Sequence, residues 1–326
     1  MGVQPRPESL VPVSSAVAAE LLDVTVLMGG PSNEREVSLE SGQAVAEALR
    51  KCGHRVTTAD ISPDDTSALQ RKGADVVFIA LHGAFGEDGQ VQKLCEQEGV
   101  AYVGSVPRSS HLAMDKEASK HAFRRAGLAT ADWVVIETSQ DERTRRAMLA
   151  EIPPPCVVKP IDGGSSVDIT IAEDTATRDK ALAKLLADYG RAMVEAFVTG
   201  REMTVGILAD KALPVVEILT KREFYDYKAK YLDEDTRYIA PAELPAVTFQ
   251  HLQAAALAAH RSLGCRDFSR VDFILADDRT AYVLEVNTIP GFTSHSLLPK
   301  AADAVGISFQ NLCDRLVQLA MTRSGR

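Results

Sequence analysis

The sequence predicts an α/β fold with a parallel sheet in the N-terminal part of the chain and an α+β fold in the remainder. Between residues 23 and 103, short apolar runs alternate with stretches of helical periodicity, a pattern typical of a parallel sheet with covered faces. After residue 200, strands and helices come in separate runs, which indicates α+β. The 326 residues, of which 45% are hydrophobic, suffice for two or three globular units.

Charge and composition exclude several classes of protein. The formal net charge of −9 argues against a nucleic-acid partner or an anionic membrane surface, because both are bound by clustered basic residues. No apolar run reaches the roughly 20 residues that a membrane span requires. The five cysteines form no C-x-x-C pair and favour buried thiols in a reducing compartment. Residues 1–22 contain prolines and lack the apolar segment of a secretory signal, so we expect a disordered tail on a cytoplasmic protein.

The first unit, residues 23–115, alternates strands and helices. A strand at 24–28 ends at Gly29-Gly30-Pro31, and a helix at 37–51 stops before Gly53. The other predicted elements are strands at 55–59, 76–81 and 101–103 and a helix at 88–98. In such sheets ligands bind beyond the carboxyl ends of the strands, so residues 29–35 and 82–89 are candidate binding loops.

Two further units follow, at residues 116–199 and 200–326. The second unit has predicted helices at 116–126 and 175–189 and strands at 133–136, 157–159 and 192–196. The third has strands at 203–208 and 213–218, a helix at 245–263, a hairpin across 268–286 and two closing helices after residue 296.

The hairpin carries the first candidate site. Arg270 and Asp272 share one face of a strand, and Glu285 and Asn287 share one face of the next. If residues 276 and 281 flank the turn, Asp272 lies opposite Glu285, and two carboxylates that close require a cation between them. Oxygen ligands of this kind suit Mg²⁺. The alternative is a solvated hairpin face with an Arg–Asp pair, and the apolar neighbours of these residues favour the metal.

Three loops could complete a nucleotide site. Lys159 ends a strand before Gly163-Gly164-Ser165-Ser166, whose backbone could wrap a phosphate, although an ordinary hairpin loop has the same composition and the order is not that of a Walker A loop. Residues 224–231 mix lysines and aromatic residues and could be a surface loop or a lid over an anionic ligand. Residues 287–296 form a turn that ends at a helix N-terminus, which favours a carboxylate or phosphate.

Together these stretches resemble the D-alanine–D-alanine ligases of the ATP-grasp superfamily, from residue 23 to the last helix. The stretches that carry the resemblance are Gly29–Ser38, Ala80-Leu81-His82-Gly83, Gly86-Glu87-Asp88-Gly89, Met114-Asp115-Lys116, Lys159-Pro160 with Gly164-Ser165-Ser166, residues 224–231, Arg270-Val271-Asp272 and residues 285–296. The resemblance implies a three-domain ATP-grasp fold: an N-terminal substrate-binding domain (23–115), a central subdomain (116–199) and a C-terminal catalytic domain (200–326).

The resemblance also implies residue roles toward ATP and metal. The ATP-binding set is Lys116, Lys159, Ser165, Ser166, Glu195, Ala196, Val198, Glu202, Phe224 and Lys230, in which the lysines face the phosphates, the segment 195–198 faces the adenine and Glu202 faces the ribose. Asp272, Glu285 and Asn287 are implied to hold two Mg²⁺ ions, with Mn²⁺ as a substitute.

The implied substrate and catalytic residues surround two D-alanines. Glu34 receives the ammonium of the first D-alanine and is linked to Ser165 and Tyr231, while His82 lies near the same substrate. Lys230 contacts the transferred phosphate, and Arg270 and the Gly291 backbone stabilise the oxyanion. Ser296 and Leu297 take the carboxylate of the second D-alanine.

The function implied is ATP-dependent synthesis of D-alanyl-D-alanine through D-alanyl phosphate, for peptidoglycan precursors, by a homodimer. The alternatives are a D-alanine–D-lactate ligase and a nucleotide-binding regulatory relative without turnover. Members of the family that use D-lactate replace the residue at Tyr231, so this tyrosine favours D-alanine. The chain departs from many relatives at Gly163, where they have glutamate, and at Asp168, where they have glycine. A carboxylate near a phosphate site is unfavourable unless it points away.

Overall fold

The computed structural model describes residues 21–70, 73–163, 168–220 and 236–324. Within these ranges the chain forms three β-sheets with helices packed against them. Most of the predicted tail lies outside the described residues, and so do five predicted site residues: Ser165, Ser166, Phe224, Lys230 and Tyr231.

The N-terminal sheet is parallel, as predicted, with strand order β2-β1-β3-β4. Its buried central strands are rich in valine, isoleucine and phenylalanine, because both faces are covered. The elements are β1 (Asp23–Met28), α1 (Arg35–Lys51), β2 (Arg55–Asp60), β3 (Val76–Ile79), α2 (Gln90–Gln97), β4 (Ala101–Tyr102) and α3 (Pro107–Met114).

The central sheet is antiparallel, with strand order β5-β8-β6-β7. Aspartates 115, 141 and 174 cap its three helices by accepting backbone N–H bonds, which fixes where each helix begins. The elements are α4 (Lys116–Arg125), β5 (Trp133–Glu137), α5 (Glu142–Glu151), β6 (Cys156–Lys159), β7 (Thr170–Ala172), α6 (Thr175–Tyr189) and β8 (Arg191–Ala196).

The C-terminal sheet is also antiparallel, with strand order β11-β10-β9-β12-β13, and the predicted hairpin forms its edge. The elements are β9 (Arg201–Leu208), β10 (Lys211–Leu219), β11 (Arg237–Ile239), α7 (Ala246–Ser262), β12 (Phe268–Leu275), β13 (Ala281–Asn287), α8 (Leu297–Asp303) and α9 (Phe309–Ser324).

One hydrophobic core joins the N-terminal sheet to the C-terminal helices. It contains Val26 and Phe78 from the first sheet together with Phe292, Leu298 and Leu316 from the end of the chain. The packing of these side chains brings the loops at the carboxyl ends of β1 and β3 close to the loop that follows β13. No helix in the described part of the chain is long and apolar enough to cross a membrane.

The structure corrects the end of the predicted tail. The sequence predicts that Leu22 belongs to a disordered tail, but this residue is only 2% exposed and lies in the core. Its backbone N–H donates to Nδ1 of His54, and its carbonyl accepts from the N–H of Arg55. The ordered body therefore begins before Asp23, because a buried leucine with two hydrogen bonds belongs to the fold.

Candidate active site

The hairpin places Asp272 directly opposite Glu285, as the sequence predicted. The assumed turn, however, was wrong by one residue, because Leu275, and not Ala276, pairs with Ala281. A β-bulge at Leu284 shifts the register between Asp272 and Phe273 and restores the opposition. Bulges of this kind re-aim side chains, so the placement of the two carboxylates depends on one extra residue in β13.

The Asp272 carboxylate is held by three neighbours. Arg270 donates from Nε to Oδ1 at 2.9 Å and from its terminal nitrogen to Oδ2 at 2.7 Å. The Thr204 hydroxyl lies 2.6 Å from Oδ1, and the Asn287 amide donates to Oδ2 at 3.0 Å. Both partners of the Arg270–Asp272 pair are largely buried, so the pair is not an incidental contact on a solvated face.

The residues fit a magnesium ion that is completed by phosphate. Glu285 lies 3.9 Å from Lys116 Nζ, and Asp272 is paired with Arg270. These two cations offset the two carboxylates, so the opposition of the carboxylates does not by itself require a metal, contrary to the sequence argument. Among the described residues no three His, Cys, Asp or Glu side chains form a complete metal cage. Two carboxylates and an amide oxygen match the partial ligand set that Mg²⁺ uses when a nucleotide supplies the other oxygens.

Lys116, at the start of α4, faces both the hairpin and the first residue of the predicted phosphate loop. Its side chain is buried, and its Nζ donates to the carbonyl of Gly163 in addition to its approach to Glu285. Its backbone N–H donates to the carbonyl of Ile161, so α4 is tied to the segment that leads into the loop. A small cavity beside Lys116 is lined by Gly163, Glu285 and Asn287.

A second buried cluster lies on the central sheet, around the carboxylate of Glu195. Lys159 Nζ is 3.0 Å from Oε1, and Lys120 Nζ is 2.5 Å from Oε2. Burial alone raises the pKa of Glu195, but the two ammonium groups outweigh it and lower the pKa below its ordinary value. Burial lowers the pKa of Lys120 to about 8, although Glu195 opposes that shift.

The sequence reasoning missed Lys120. A signal was present, because Lys120 follows Lys116 by four residues on α4 and so lies one turn further along the same helix face. Of the other residues predicted near the nucleotide, Ala196 ends β8, Val198 lies in the connection to β9 and Glu202 lies on β9 opposite Ile274.

The predicted substrate residues meet in one cavity of about 280 Å³ between the N-terminal sheet and the C-terminal sheet. Six of them line it: Glu34, His82, Arg270, Gly291, Ser296 and Leu297. Glu87 and Asn287 line both this cavity and the small cavity beside Lys116, so the two spaces adjoin.

His82 holds the loop after β13 against α1. Its Nδ1 is 3.1 Å from the carbonyl of Ile289, which can only accept, so Nδ1 carries a proton. Its Nε2 is 3.0 Å from the Ser41 hydroxyl, which accepts the backbone N–H of Phe292. The histidine therefore orients the backbone around Gly291 as well as lining the cavity.

The carboxyl groups of Glu34 and Glu87 face this cavity from the N-terminal unit. Glu34 is buried at the N-terminus of α1. Burial raises the pKa of Glu87, and Glu34 and Glu285 raise it further, while His82 acts in the opposite direction. Two carboxyl groups thus line this wall of the cavity, where they can accept hydrogen bonds from an ammonium group.

The opposite wall is the N-terminal end of α8. Ser296 occupies the N-cap position, and its hydroxyl accepts the backbone N–H of Thr293 at 3.0 Å. Leu297 is buried at the first helical position. The free N–H groups of a helix N-terminus favour a carboxylate, so the cavity offers opposite charge preferences at its two ends.

Asp168 is the first described residue after the predicted phosphate loop. Its backbone is left-handed, with φ of 58°, and its carboxylate contacts Lys184 Nζ at 2.5 Å and the Tyr189 hydroxyl at 2.7 Å. These partners, Lys184 first, lower the pKa of Asp168. The carboxylate is thus engaged by α6.

Comparisons with known proteins agree along nearly the whole chain. The sequence model for the D-ala D-ala ligase C-terminus matches residues 122–318, and that for the D-ala D-ala ligase N-terminus matches residues 64–105. A D-alanine–D-alanine ligase of Anaeromyxobacter sp. (strain Fw109-5) is 44% identical over 303 residues, which cover 92% of this chain and 97% of that protein. A D-alanine–D-alanine ligase of Rhodospirillum rubrum is 46% identical over 91% of this chain and 97% of its own length.

Solved structures give the same result for the fold. The D-alanine–D-alanine ligase from Bacillus anthracis complexed with ATP superposes with a TM-score of 0.81 at 33% identity, over 93% of this chain and 99% of that one. The VanG D-Ala:D-Ser ligase from Enterococcus faecalis superposes with a TM-score of 0.82 at 28% identity, over 92% of this chain and all of that one.

Proposed function

Because this chain belongs to the D-alanine–D-alanine ligase family, with its ATP-grasp fold, we propose how its residues divide the work of that reaction. The protein is an ATP-dependent ligase that joins two D-alanines for peptidoglycan synthesis. One observation carries the assignment of roles: the cavity gathers Glu34, Arg270, Gly291 and Ser296 beside the opposed carboxylates of the hairpin.

The nucleotide is proposed to lie between the central and C-terminal sheets. Lys116 and Lys159 contact its phosphates, the segment 195–198 contacts the base and Glu202 contacts the ribose. Lys116 supports this role because it is buried beside both Gly163 and Glu285. Ser165, Ser166, Phe224 and Lys230 keep the nucleotide-binding roles that the family resemblance implies, outside the described residues.

Asp272, Glu285 and Asn287 are proposed to hold Mg²⁺ against the phosphates of ATP. Bound there, the metal supplies charge neutralisation and in-line positioning for phosphoryl transfer. Mn²⁺, which also accepts oxygen ligands, is the expected substitute. Arg270 anchors Asp272 in the geometry described above.

The first D-alanine is proposed to bind with its ammonium group toward Glu34 and near His82. Its carboxylate attacks the terminal phosphate of ATP, and Lys230 contacts the group in transfer, which yields D-alanyl phosphate and ADP. A free carboxylate is a poor electrophile, whereas the acyl phosphate carries a good leaving group. The family resemblance implies that Glu34 forms a network with Ser165 and Tyr231 over this substrate, although Ser165 and Tyr231 lie outside the described residues.

The second D-alanine is proposed to bind with its carboxylate at Ser296 and Leu297, on the N-terminus of α8. After it loses a proton, its amine attacks the acyl carbon, the new C–N bond forms and phosphate leaves. The oxyanion that develops is stabilised by Arg270 and the backbone N–H of Gly291. His82 fixes the backbone next to Gly291 through Ile289 and Ser41.

The alternatives differ in their products. A D-alanine–D-lactate ligase forms an ester, and the tyrosine at position 231 favours the peptide because a neutral phenol adds no positive charge for an anionic nucleophile. A regulatory relative without turnover forms neither product. We also propose a cytoplasmic homodimer, in keeping with five free cysteines and the family resemblance.

The test is product analysis with matched variants. The wild-type protein with ATP, Mg²⁺ and equal D-alanine and D-lactate at pH 7 is expected to give D-alanyl-D-alanine by mass, with little ester. Asp272→Asn and Glu285→Gln are expected to lose at least about 99% of this activity, because each removes a charge that binds the metal. Asp278→Asn, in the exposed turn of the same hairpin, is the control and should retain full activity.

Two outcomes contradict the proposal. Near-normal dipeptide synthesis by Glu285→Gln at ordinary Mg²⁺ would show that the metal assignment is wrong. Equal amounts of ester and peptide from the wild-type protein replace it with the D-lactate alternative.

A further inference from the structure

Lys120 is a buried cation that the reaction described above does not use. Its side chain is 1% exposed, and its Nζ lies 2.5 Å from Oε2 of Glu195 and 2.6 Å from the Thr130 hydroxyl. Lys159 approaches the other oxygen of the same carboxylate at 3.0 Å. One buried carboxylate is therefore shared by two buried ammonium groups.

The charges of this cluster do not cancel. Lys159 and Glu195 alone would form a neutral ion pair, and the charge of Lys159 would be satisfied within the protein. With Lys120 present, the three groups sum to one positive charge inside a region of low dielectric. A buried net charge is unfavourable unless an opposite charge approaches it, so the cluster favours an anionic ligand.

We propose that Lys120 is a positioning residue for the nucleotide: it acts as the counter-ion of Glu195 and leaves the charge of Lys159 available to the phosphates of ATP. This inference rests on the proposed nucleotide-binding role of Lys159. Lys120 itself acts through Glu195 and is assigned no contact with the substrate.

A second contact links Lys120 to the hairpin. The Thr130 hydroxyl donates to the carbonyl of Val283 at 2.9 Å, and the backbone N–H of Val283 donates to the carbonyl of Ala129. Val283 directly precedes the bulge that sets Glu285 opposite Asp272. Lys120 therefore holds the cation cluster at a fixed place relative to the carboxylates proposed to bind the metal.

The only tryptophan of the chain provides a direct readout. Trp133 pairs with Glu195 across β5 and β8, and Lys120 Nζ lies 5.0 Å from its ring centroid. Nucleotide that binds at this cluster is expected to change the fluorescence of Trp133. The readout requires no turnover.

The experiment measures the dissociation constant of ADP by Trp133 fluorescence in three proteins. Lys120→Met removes the charge and keeps the apolar stem, and we expect ADP to bind about tenfold more weakly or worse. Arg124→Met is the control, because Arg124 lies on the same helix and over the same ring, at 4.2 Å, but does not contact Glu195. Its ADP affinity should stay within about twofold of wild type.

A second pair of variants separates positioning from folding. If Lys120 acts through Glu195, its loss should matter little once that carboxylate is neutral. Lys120→Met/Glu195→Gln and Glu195→Gln alone should therefore bind ADP within about twofold of each other. Because these two variants are compared with each other, the result remains informative if Lys120→Met does not fold.

Steady-state kinetics gives the third measurement. In Lys120→Met the KM for ATP is expected to rise about tenfold, while the KM for D-alanine and kcat stay within about twofold. Unchanged ADP affinity in Lys120→Met, or a tenfold gap between the double variant and Glu195→Gln, overturns the inference. Failure of the proposed function is a different result, since the wild-type protein would then bind ADP but form no dipeptide.

Discussion

Phe292 lies in the hydrophobic core that joins the N-terminal sheet to the C-terminal helices, next to the proposed oxyanion site at Gly291. Its replacement by alanine tests how much this core stabilises the protein. The side chain is 1% exposed, between the N-terminal sheet and the C-terminal helices. Its ring centroid lies 5.5 Å from those of Phe78 and Phe268 and 5.6 Å from that of Phe309. The residue also follows Gly291, and its own N–H donates to Ser41.

The expected loss follows from this environment. Removal of a fully buried phenylalanine side chain costs about 3–5 kcal/mol in the free energy of unfolding. Three aromatic neighbours, each worth about 0.5–1.5 kcal/mol beyond area burial, place Phe292→Ala toward the upper end of that range. We therefore expect a loss of about 4–5 kcal/mol, which is a large share of the roughly 5–15 kcal/mol that typically stabilises a protein.

The assay is urea unfolding followed by far-ultraviolet circular dichroism, with Phe309→Ala as the control. Phe309 belongs to the same aromatic cluster but is only partly buried, so its loss should cost roughly half as much. Phe292→Leu should cost less than Phe292→Ala because it keeps most of the buried volume. A loss below about 1.5 kcal/mol in Phe292→Ala, or one equal to that of Phe309→Ala, would refute a core shared by the two units.

Two further predictions concern stability. Leu22→Ala should lower the free energy of unfolding by about 2–3 kcal/mol, because Leu22 is buried. Leu21→Ala is the control and should change it by less than about 0.5 kcal/mol, because Leu21 is 57% exposed. Equal urea midpoints for the two variants would contradict the corrected boundary of the fold. Lys120 has a pKa of about 8 in the folded protein and 10.5 in the unfolded chain. Between these two pH values the unfolded chain binds a proton that the folded protein has lost, so Lys120 makes the free energy of unfolding rise with pH. The difference in unfolding free energy between wild type and Lys120→Met, measured at pH 7.5 and pH 10, should show that rise, and a flat difference would contradict it.

The sequence by itself determined most of the elements, although not α3, α5, β7 or β11, and much of the candidate site. The strands and the long helices follow from periodicity and glycine stops, which are local signals. The alternation within β12 and β13 places Arg270, Asp272, Glu285 and Asn287 on neighbouring strands, because pairing in a hairpin is fixed over a few residues. The order of the motifs along the chain identified the family that the comparisons then showed.

Only the tertiary structure decided the contacts between distant segments. His82 meets Ile289 across 207 positions of sequence, and no local pattern indicates that a histidine after β3 orients a loop after β13. The direction of the Asp168 carboxylate depends on Lys184 and Tyr189 of α6, which lie on another element. Side-chain direction of this kind is set by packing, which the sequence specifies only through the whole fold.

Lys120 and the Leu284 bulge illustrate the same division. Helical spacing predicts that Lys120 lies on the Lys116 face of α4. Its partner Glu195, however, comes from a strand 75 positions later, and only the tertiary structure shows that both side chains are buried. The sequence predicted the opposition of Asp272 and Glu285 from a turn that was wrong by one residue, and the bulge supplied the correction. A bulge adds one residue to one strand without changing the apolar and polar composition, so only the pairing of the two backbones reveals it.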